Sequence, residues 1–248
     1  MEEPQNNQCT SGRVRLQTTH PGYVSSEVIA SSSQGHEDTP SSSLNAVTDS
    51  YTSVQGLAAH LPVESYTVEL AFAAINHILL YTQKPSLKTP VEIRQPERQF
   101  IQVEDKLITA VDDGGLTFIS SEGERTKTLL VLIEATRRLD VCPETHRPFV
   151  SDERLGQMTC EAIAARSCRG EDNGGDDIFI INTIQHYMCF FHFIVTPNHL
   201  KDIKDGKIPT MAIKVTATRW FNLERQPDRK CIVKNILQLA EYVRQTEE

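Results

Sequence analysis

Apolar positions follow a regular pattern only after a polar first quarter of the chain, and from there they predict helices separated by groups of strands. Between residues 65 and 81 they fall at i, i+4, i+7 and i+11, which predicts an amphipathic helix. Strands are predicted by short apolar segments at 100–103, 106–111 and 116–119. Asp112-Asp113-Gly114-Gly115 predicts a turn between the last two. The run 128–134 is almost continuously apolar and closes on Glu134, which is typical of a central strand covered on both faces.

The second half of the chain adds further elements of both kinds. Helices are predicted at 152–168 and 228–244, and strands at 178–181, 188–196 and 211–221. The stretch 83–97 contains three prolines and is predicted to be a connection. This order of elements predicts an α/β fold with a mixed sheet, and an α+β fold is the alternative.

The first 62 residues differ in composition from the rest. They are rich in Ser, Thr, Gln and Asn, and their scattered apolar residues follow neither a helical nor a strand period. Such a segment buries too little apolar surface to offset the entropy of ordering it. The sequence therefore predicts a disordered N-terminal tail at 1–62 and one domain at 63–248.

Charge and composition limit the classes of function. The formal net charge is −8, whereas proteins that bind nucleic acid mainly through bulk charge are usually basic. No signal peptide and no apolar run of membrane-spanning length is recognisable, and the six cysteines have no regular spacing. These features predict an intracellular protein, cytoplasmic or nuclear, with no membrane partner; its oligomeric state stays open.

Three acids form the leading candidate site: Glu69 on the first helix, Asp113 or its neighbour Asp112 at the turn, and Glu134. Acids at the ends of two neighbouring strands can converge on one point. Mg²⁺ requires such a site, because it takes one or two protein carboxylates and completes its octahedron with waters and phosphate oxygens.

Structural roles are open for each of these residues. Glu69 also fits as an acid favoured by the dipole in the early part of a helix. Asp112 and Asp113 also fit as turn residues, and Glu134 as the partner of Arg137 or Arg138 in an ion pair. Gln157, on the helix that follows, either reaches the site or lies on the surface.

The arrangement resembles the PD-(D/E)XK nuclease superfamily, including its restriction-subunit-like and fungal members. The matching parts are the helix with Glu69, the hairpin with Val111-Asp112-Asp113, the strand Leu129-Leu130-Val131-Leu132-Ile133-Glu134-Ala135-Thr136, and the helix with Gln157 and Glu161. The resemblance covers roughly residues 65–245. It implies a restriction-endonuclease-like three-layer core, in which a central mixed sheet is flanked by helices. It also implies Mg²⁺-dependent hydrolysis of DNA or RNA, with Glu69, Asp113 and Glu134 as metal ligands.

The sequence departs from the family pattern at two positions. Val111 stands where the family has proline before the hairpin acid, and Thr136 stands where it has lysine. Threonine supplies no cation, so the resemblance assigns that place either to Thr136 or to Arg138, which shares its strand face. The alternative is a catalytically degenerate module that acts by binding nucleic acid or a protein partner.

Other patterns are weaker. Cys142 and His146 lack the four-ligand spacing of a zinc site. Arg137, Arg219 and Arg229 would form a basic groove if they line up, with Trp220 or Phe221 for base stacking. Scattered solvated charge is the alternative.

Overall fold

The structure is a computed structural model, and it describes residues 64–84, 89–119, 129–136, 140–142, 148–169 and 175–246. The predicted tail at 1–62 lies outside these ranges. So do Arg137, Arg138 and His146.

The described residues form four helices and eleven strands. The helices are α1 (Glu64–Thr82), α2 (Asp152–Cys168), α3 (Pro197–Lys204) and α4 (Gln226–Gln245). The strands are β1 (Val91–Arg94), β2 (Arg98–Val103), β3 (Lys106–Val111), β4 (Gly114–Phe118), β5 (Val131–Thr136), β6 (Asp140–Val141), β7 (Pro148–Phe149), β8 (Asp177–Ile184), β9 (Tyr187–Ile194), β10 (Lys214–Ala217) and β11 (Phe221–Asn222).

One mixed sheet organises the domain, in the order β1-β4-β5-β8-β9-β10, with β11 also paired to β9. The pairs are antiparallel except β5 with β8, which run parallel. A parallel pair needs a long crossover connection, and here α2 lies within it. The hairpin β2–β3 stands apart from this sheet and contacts α2.

The helices cover both faces of the sheet, so the fold is a three-layer α/β fold, as the sequence predicts. Residues from α1 and α4 pack with Val131 and Ile133 of β5 in one apolar cluster. Residues from α2 and α3 pack with Leu132 of β5 and Ile180 of β8 in the other. Successive side chains of β5 therefore pack into opposite layers, so both faces of the strand are buried. For this reason its apolar residues are continuous and do not alternate with polar ones.

Most elements lie where the hydrophobic pattern predicts them, but three predictions are wrong. The stretch 83–97 contains β1, because Pro90 and Pro96 flank this edge strand and do not interrupt it. The predicted strand 211–221 is two short strands, β10 and β11. Gly114 and Gly115 belong to β4, so the predicted turn narrows to Asp112 and Asp113. The strands on either side of this turn do not form a hairpin, because β3 pairs with β2 in a separate sheet while β4 pairs with β1 and β5.

Helix α3 was not predicted, and its start has a clear signal in retrospect. Thr196 caps the helix and Pro197 follows directly at the first helical position, where its missing N–H costs no hydrogen bond. Among the described residues, no helix combines the length and apolar character that crossing a bilayer requires.

Candidate functional site

Backbone pairing between β4 and β5 brings Asp113 beside Glu134. The backbone N–H of Asp113 donates to the carbonyl of Ile133 at 3.1 Å. Its Oδ2 accepts a hydrogen bond from the N–H of Ala135 at 2.8 Å. Asp113 is therefore bonded to both chain neighbours of Glu134, so the two acids are held at one place on the sheet.

Two glycines permit this close approach. Gly114 has a φ of +142°, a conformation that L side chains rarely adopt, and a Cβ there would lie 2.5 Å from Cζ of Phe72. A Cβ on Gly115 would lie 2.4 Å from the carbonyl oxygen of Val131. Any side chain at either position would push β4 away from its neighbours.

Asp112, the other candidate at the turn, has a structural environment. Its buried carboxylate forms a two-pronged ion pair with Arg94, at 2.9 Å and 2.7 Å. It also accepts hydrogen bonds from the side chain of Gln99 and from the backbone N–H groups of Glu97 and Gly114. These bonds tie the turn to β1 and to the start of β2, and they leave Asp113 as the acid beside Glu134.

Helix α2 presents three polar side chains to the same place. Nε2 of Gln157 donates to Oε1 of Glu134 at 2.7 Å and to Oε1 of Glu161 at 3.1 Å. Nη1 of Arg154 lies 3.8 Å from Oε1 of Glu134. The spacing of 154, 157 and 161 puts these residues on one face of the helix. Gln157 is an exposed residue, yet its amide bridges the two buried acids.

The buried acids hold protons unusually tightly. Burial, together with the nearby charges of Glu161 and Asp113, raises the pKa of Glu134 to about 9, although Arg154 opposes the rise. Burial likewise raises the pKa of Glu161 to about 7, against the hydrogen bond from Gln157. Burial also raises the pKa of Asp113, opposed by its bond to Ala135. These acids therefore share at least one proton at neutral pH.

The remaining predicted site residues make no hydrogen bond or ion pair to the acids within the described part of the chain. Glu69 is exposed on α1, whereas Glu64, at the start of the same helix, acts electrostatically on both Asp113 and Glu134. Thr136 is half-buried, two residues beyond Glu134 on β5, and Arg138 lies outside the described residues. Arg154 is the cation that sequence reasoning missed at this site. Only the spacing 154/157/161 signals it.

The carboxylates at this site offer few ligands for a magnesium ion. Within the described ranges, no group of three or more His, Cys, Asp or Glu side chains is arranged to hold a metal ion. Mg²⁺ is commonly held by one or two protein carboxylates, with waters and substrate oxygens as the remaining ligands. Asp113 and Glu134 fit that smaller set, and Oε2 of the adjacent Glu161 is buried without a hydrogen-bond partner among the described residues.

A cavity of about 370 Å³ is lined by Arg154 and Gln157, the two helix residues that contact Glu134, whereas the three acids themselves are not part of its wall. Its wall includes Thr136 and Ile184, where β5 and β8 end, and Arg154 and Gln157 of α2. Asn182 also lines it, on β8 directly opposite Glu134 in the parallel ladder.

The predicted basic groove is not supported. Arg219 donates to Asp228 at 2.7 Å and lies over the ring of Phe221, which is fully buried and so cannot stack on a base. Arg229 donates to two backbone carbonyls, those of Leu223 and Glu224. These bonds engage part of each guanidinium group within the fold, and Arg137, the third arginine of the predicted groove, lies outside the described residues.

No protein-family model matches the chain, and no curated protein or solved structure matches it either.

Proposed function

We propose that the domain is a PD-(D/E)XK-type nuclease-like domain that hydrolyses phosphodiester bonds of nucleic acid with Mg²⁺. The observation that carries the proposal is a hydrogen bond of 2.8 Å from the backbone N–H of Ala135 to Oδ2 of Asp113. This bond holds Asp113 beside Glu134, the residue that precedes Ala135. Two carboxylates fixed at one sheet position match the one or two that commonly hold a phosphate-associated Mg²⁺.

The order of elements around these acids supports the proposal. After α1, strands β1, β4 and β5 pair antiparallel, α2 follows, and β8 returns parallel to β5. The resemblance implies this succession, with one acid at the hairpin, one on the next strand and a glutamine on the helix. Here those places are held by Asp113, Glu134 and Gln157.

The chain's own residues would act as follows. Asp113 and Glu134 would hold the ion, which supplies an activated water and stabilises charge on the phosphoryl group. Glu134 must first lose the proton that its raised pKa retains. Gln157 orients the Glu134 carboxyl group through its 2.7 Å bond. Glu69 as a further ligand stays a prediction.

Positive charge at the site would come from the helix. Thr136 occupies the place of the family's lysine and carries no charge. Nη1 of Arg154 lies 3.8 Å from Oε1 of Glu134, and its charge opposes the rise in the pKa of Asp113, Glu134 and Glu161. We assign it the role of balancing charge in the transition state.

A second candidate is a degenerate module that binds nucleic acid or a protein without cutting. Thr136 and the net charge of −8 favour it. So does the raised pKa of Glu134, because a protonated carboxyl group is a poor metal ligand.

The deciding experiment is a cleavage assay of single- and double-stranded DNA and RNA with and without Mg²⁺. It compares the intact protein with Glu134→Gln, which keeps the shape of the side chain and the bond to Gln157. We expect Mg²⁺-dependent cleavage that falls by about 10²-fold or more in the variant. Absence of cleavage of every substrate by the intact protein would refute the enzymatic proposal and leave the binding module.

A further inference from the structure

We propose that the cavity beside Glu134 binds one nucleobase, and that Asn182 recognises the edge of that base. The inference rests on the proposed function in one respect, since that function supplies nucleic acid as the substrate. It adds a base-binding site that selects which nucleotide lies next to the acids.

The cavity lies at the carboxyl ends of β5 and β8, a position typical of ligand sites. In open α/β sheets, ligands bind outside the carboxyl ends of parallel strands. Strands β5 and β8 are the parallel pair, and their last residues, Thr136 and Ile184, both line the cavity. Its volume of about 370 Å³ lies within the range of small-molecule sites, roughly 300–1,000 Å³.

Asn182 is the observation that points to a ligand. Its relative exposure is 0%, yet neither Nδ2 nor Oδ1 has a hydrogen-bond partner in the described part of the chain. A buried amide left unpaired is destabilising, so such groups call for an explanation. A ligand in the cavity that offers one donor and one acceptor would satisfy both atoms.

A nucleobase offers that pair of groups. Side-chain amides bind base edges with both of their polar atoms at once, as asparagine does with adenine. Phe149, 43% exposed, and Ile184 add apolar surface for the face of a base. Arg154 adds two buried donors, Nε and Nη2, that have no partner among the described residues.

A phosphate group fits the cavity less well. Asp140 and Glu153 also line it, and their negative charge opposes an anion. The oxygen of Asn182 is an acceptor, and a phosphate oxygen cannot satisfy it.

The test measures binding of AMP, GMP, CMP, UMP and inorganic phosphate to the full chain by calorimetry, without divalent metal. The comparison is Asn182→Leu, which has nearly the same shape but no amide. Asn235→Leu, the same change at a buried asparagine of α4 in the opposite layer, is the matched control.

We expect saturable binding of at least one nucleotide, weakened tenfold or more in Asn182→Leu and unchanged in Asn235→Leu. The thermal unfolding temperature of Asn182→Leu should equal or exceed that of the wild type, which shows that the loss is not a loss of folding. Equal affinity in Asn182→Leu, or no nucleotide binding up to about 10 mM, overturns the inference. Inorganic phosphate binding as tightly as the nucleotides overturns it in favour of an anion site.

Metal-free binding separates this inference from the proposed function. Binding without any cleavage would keep the base site and refute the nuclease. Cleavage by the intact protein, together with equal nucleotide affinity in the wild type and in Asn182→Leu, would support the nuclease and refute the base site.

Discussion

Nη1 of Arg154 lies 3.8 Å from Oε1 of Glu134, so the first turns of α2 bring a guanidinium group to a buried acid of the central strand. The fold thereby places a positive charge at the site from a helix, while the strand position two residues after Glu134 holds the uncharged Thr136.

Replacing Arg154 with methionine should raise the pKa of Glu134 further, because the guanidinium group opposes the rise caused by burial. If the domain is a nuclease, cleavage should also fall by about 10²-fold, and its pH optimum should move upward. The pH dependence of cleavage measures both effects. Arg154→Lys keeps the charge and should restore part of the activity; equal losses in the two variants would contradict a role for charge.

Asp112 and Asp113 should respond in opposite ways to the same substitution. Asp112→Asn breaks a buried ion pair with Arg94 and should lower the free energy of unfolding by about 3–5 kcal/mol. Asp113→Asn removes an acid whose pKa is already raised by burial, so it should leave stability unchanged or higher. Urea unfolding measures both.

Cleavage by the stable Asp113→Asn variant should nevertheless be lost if Asp113 is a metal ligand. An Asp113→Asn protein as destabilised as Asp112→Asn would show that both acids are structural.

Stability should fall as pH rises. The pKa values of Glu134 and Glu161 in the folded state exceed the ordinary glutamate value of 4.5. Their contribution is therefore complete below pH 4.5 and is lost as pH rises through about 7 and then about 9. The folded protein binds more protons than the unfolded chain throughout this range, so its stability declines steadily with rising pH.

Thermal unfolding between pH 5 and 9 measures this dependence. Glu134→Gln cannot ionise at that position, so its unfolding temperature should decline less than that of the wild type. Parallel curves for the two proteins would show that Glu134 is not the group responsible.

Magnesium binding should release protons. The ion needs ionised carboxylates, and Glu134 retains its proton until about pH 9 in the absence of metal. The affinity for Mg²⁺ should therefore increase from pH 7 to pH 9. Calorimetry in buffers of different ionisation enthalpy would count the protons released, and an affinity independent of pH would exclude Glu134 as a ligand.

Gly114→Ala should destabilise the fold by more than a typical surface substitution. A Cβ at this position would lie 2.5 Å from Phe72 and 2.9 Å from the carbonyl of Arg94, and the φ of +142° disfavours any side chain. Gly156→Ala on α2 is the control, because its Cβ would meet open space and alanine favours helix. The control should be neutral or stabilising in the same unfolding experiment.

The sequence predicted the elements whose apolar pattern reflects burial. Continuous hydrophobicity located the central strand, and the i, i+4 spacing located α1, α2 and α4 within a few residues. Strand β1 was missed because it is a short edge strand between prolines, where pattern and propensity disagree.

The candidate site was only partly predictable, for a similar reason. Asp113 and Glu134 stand next to strong strand signals, so their proximity followed from a simple hairpin argument. The roles of Arg154 and Asn182 depend on how α2 is rotated about its axis and on the register between β5 and β8. Neither quantity can be read from one sequence.

Helix α2 both connects the two parallel strands and carries Arg154, Gln157 and Glu161. Met158 and Ala162 of this helix are fully buried. Inserting or deleting one residue between Gln157 and Met158 would therefore turn Arg154 and Gln157 by about 100° relative to the packed face. The register between the polar residues and the packed face of the helix is therefore constrained by the proposed site as well as by the core. In any lineage of this protein, substitutions within the helix should be tolerated more readily than a change in its register.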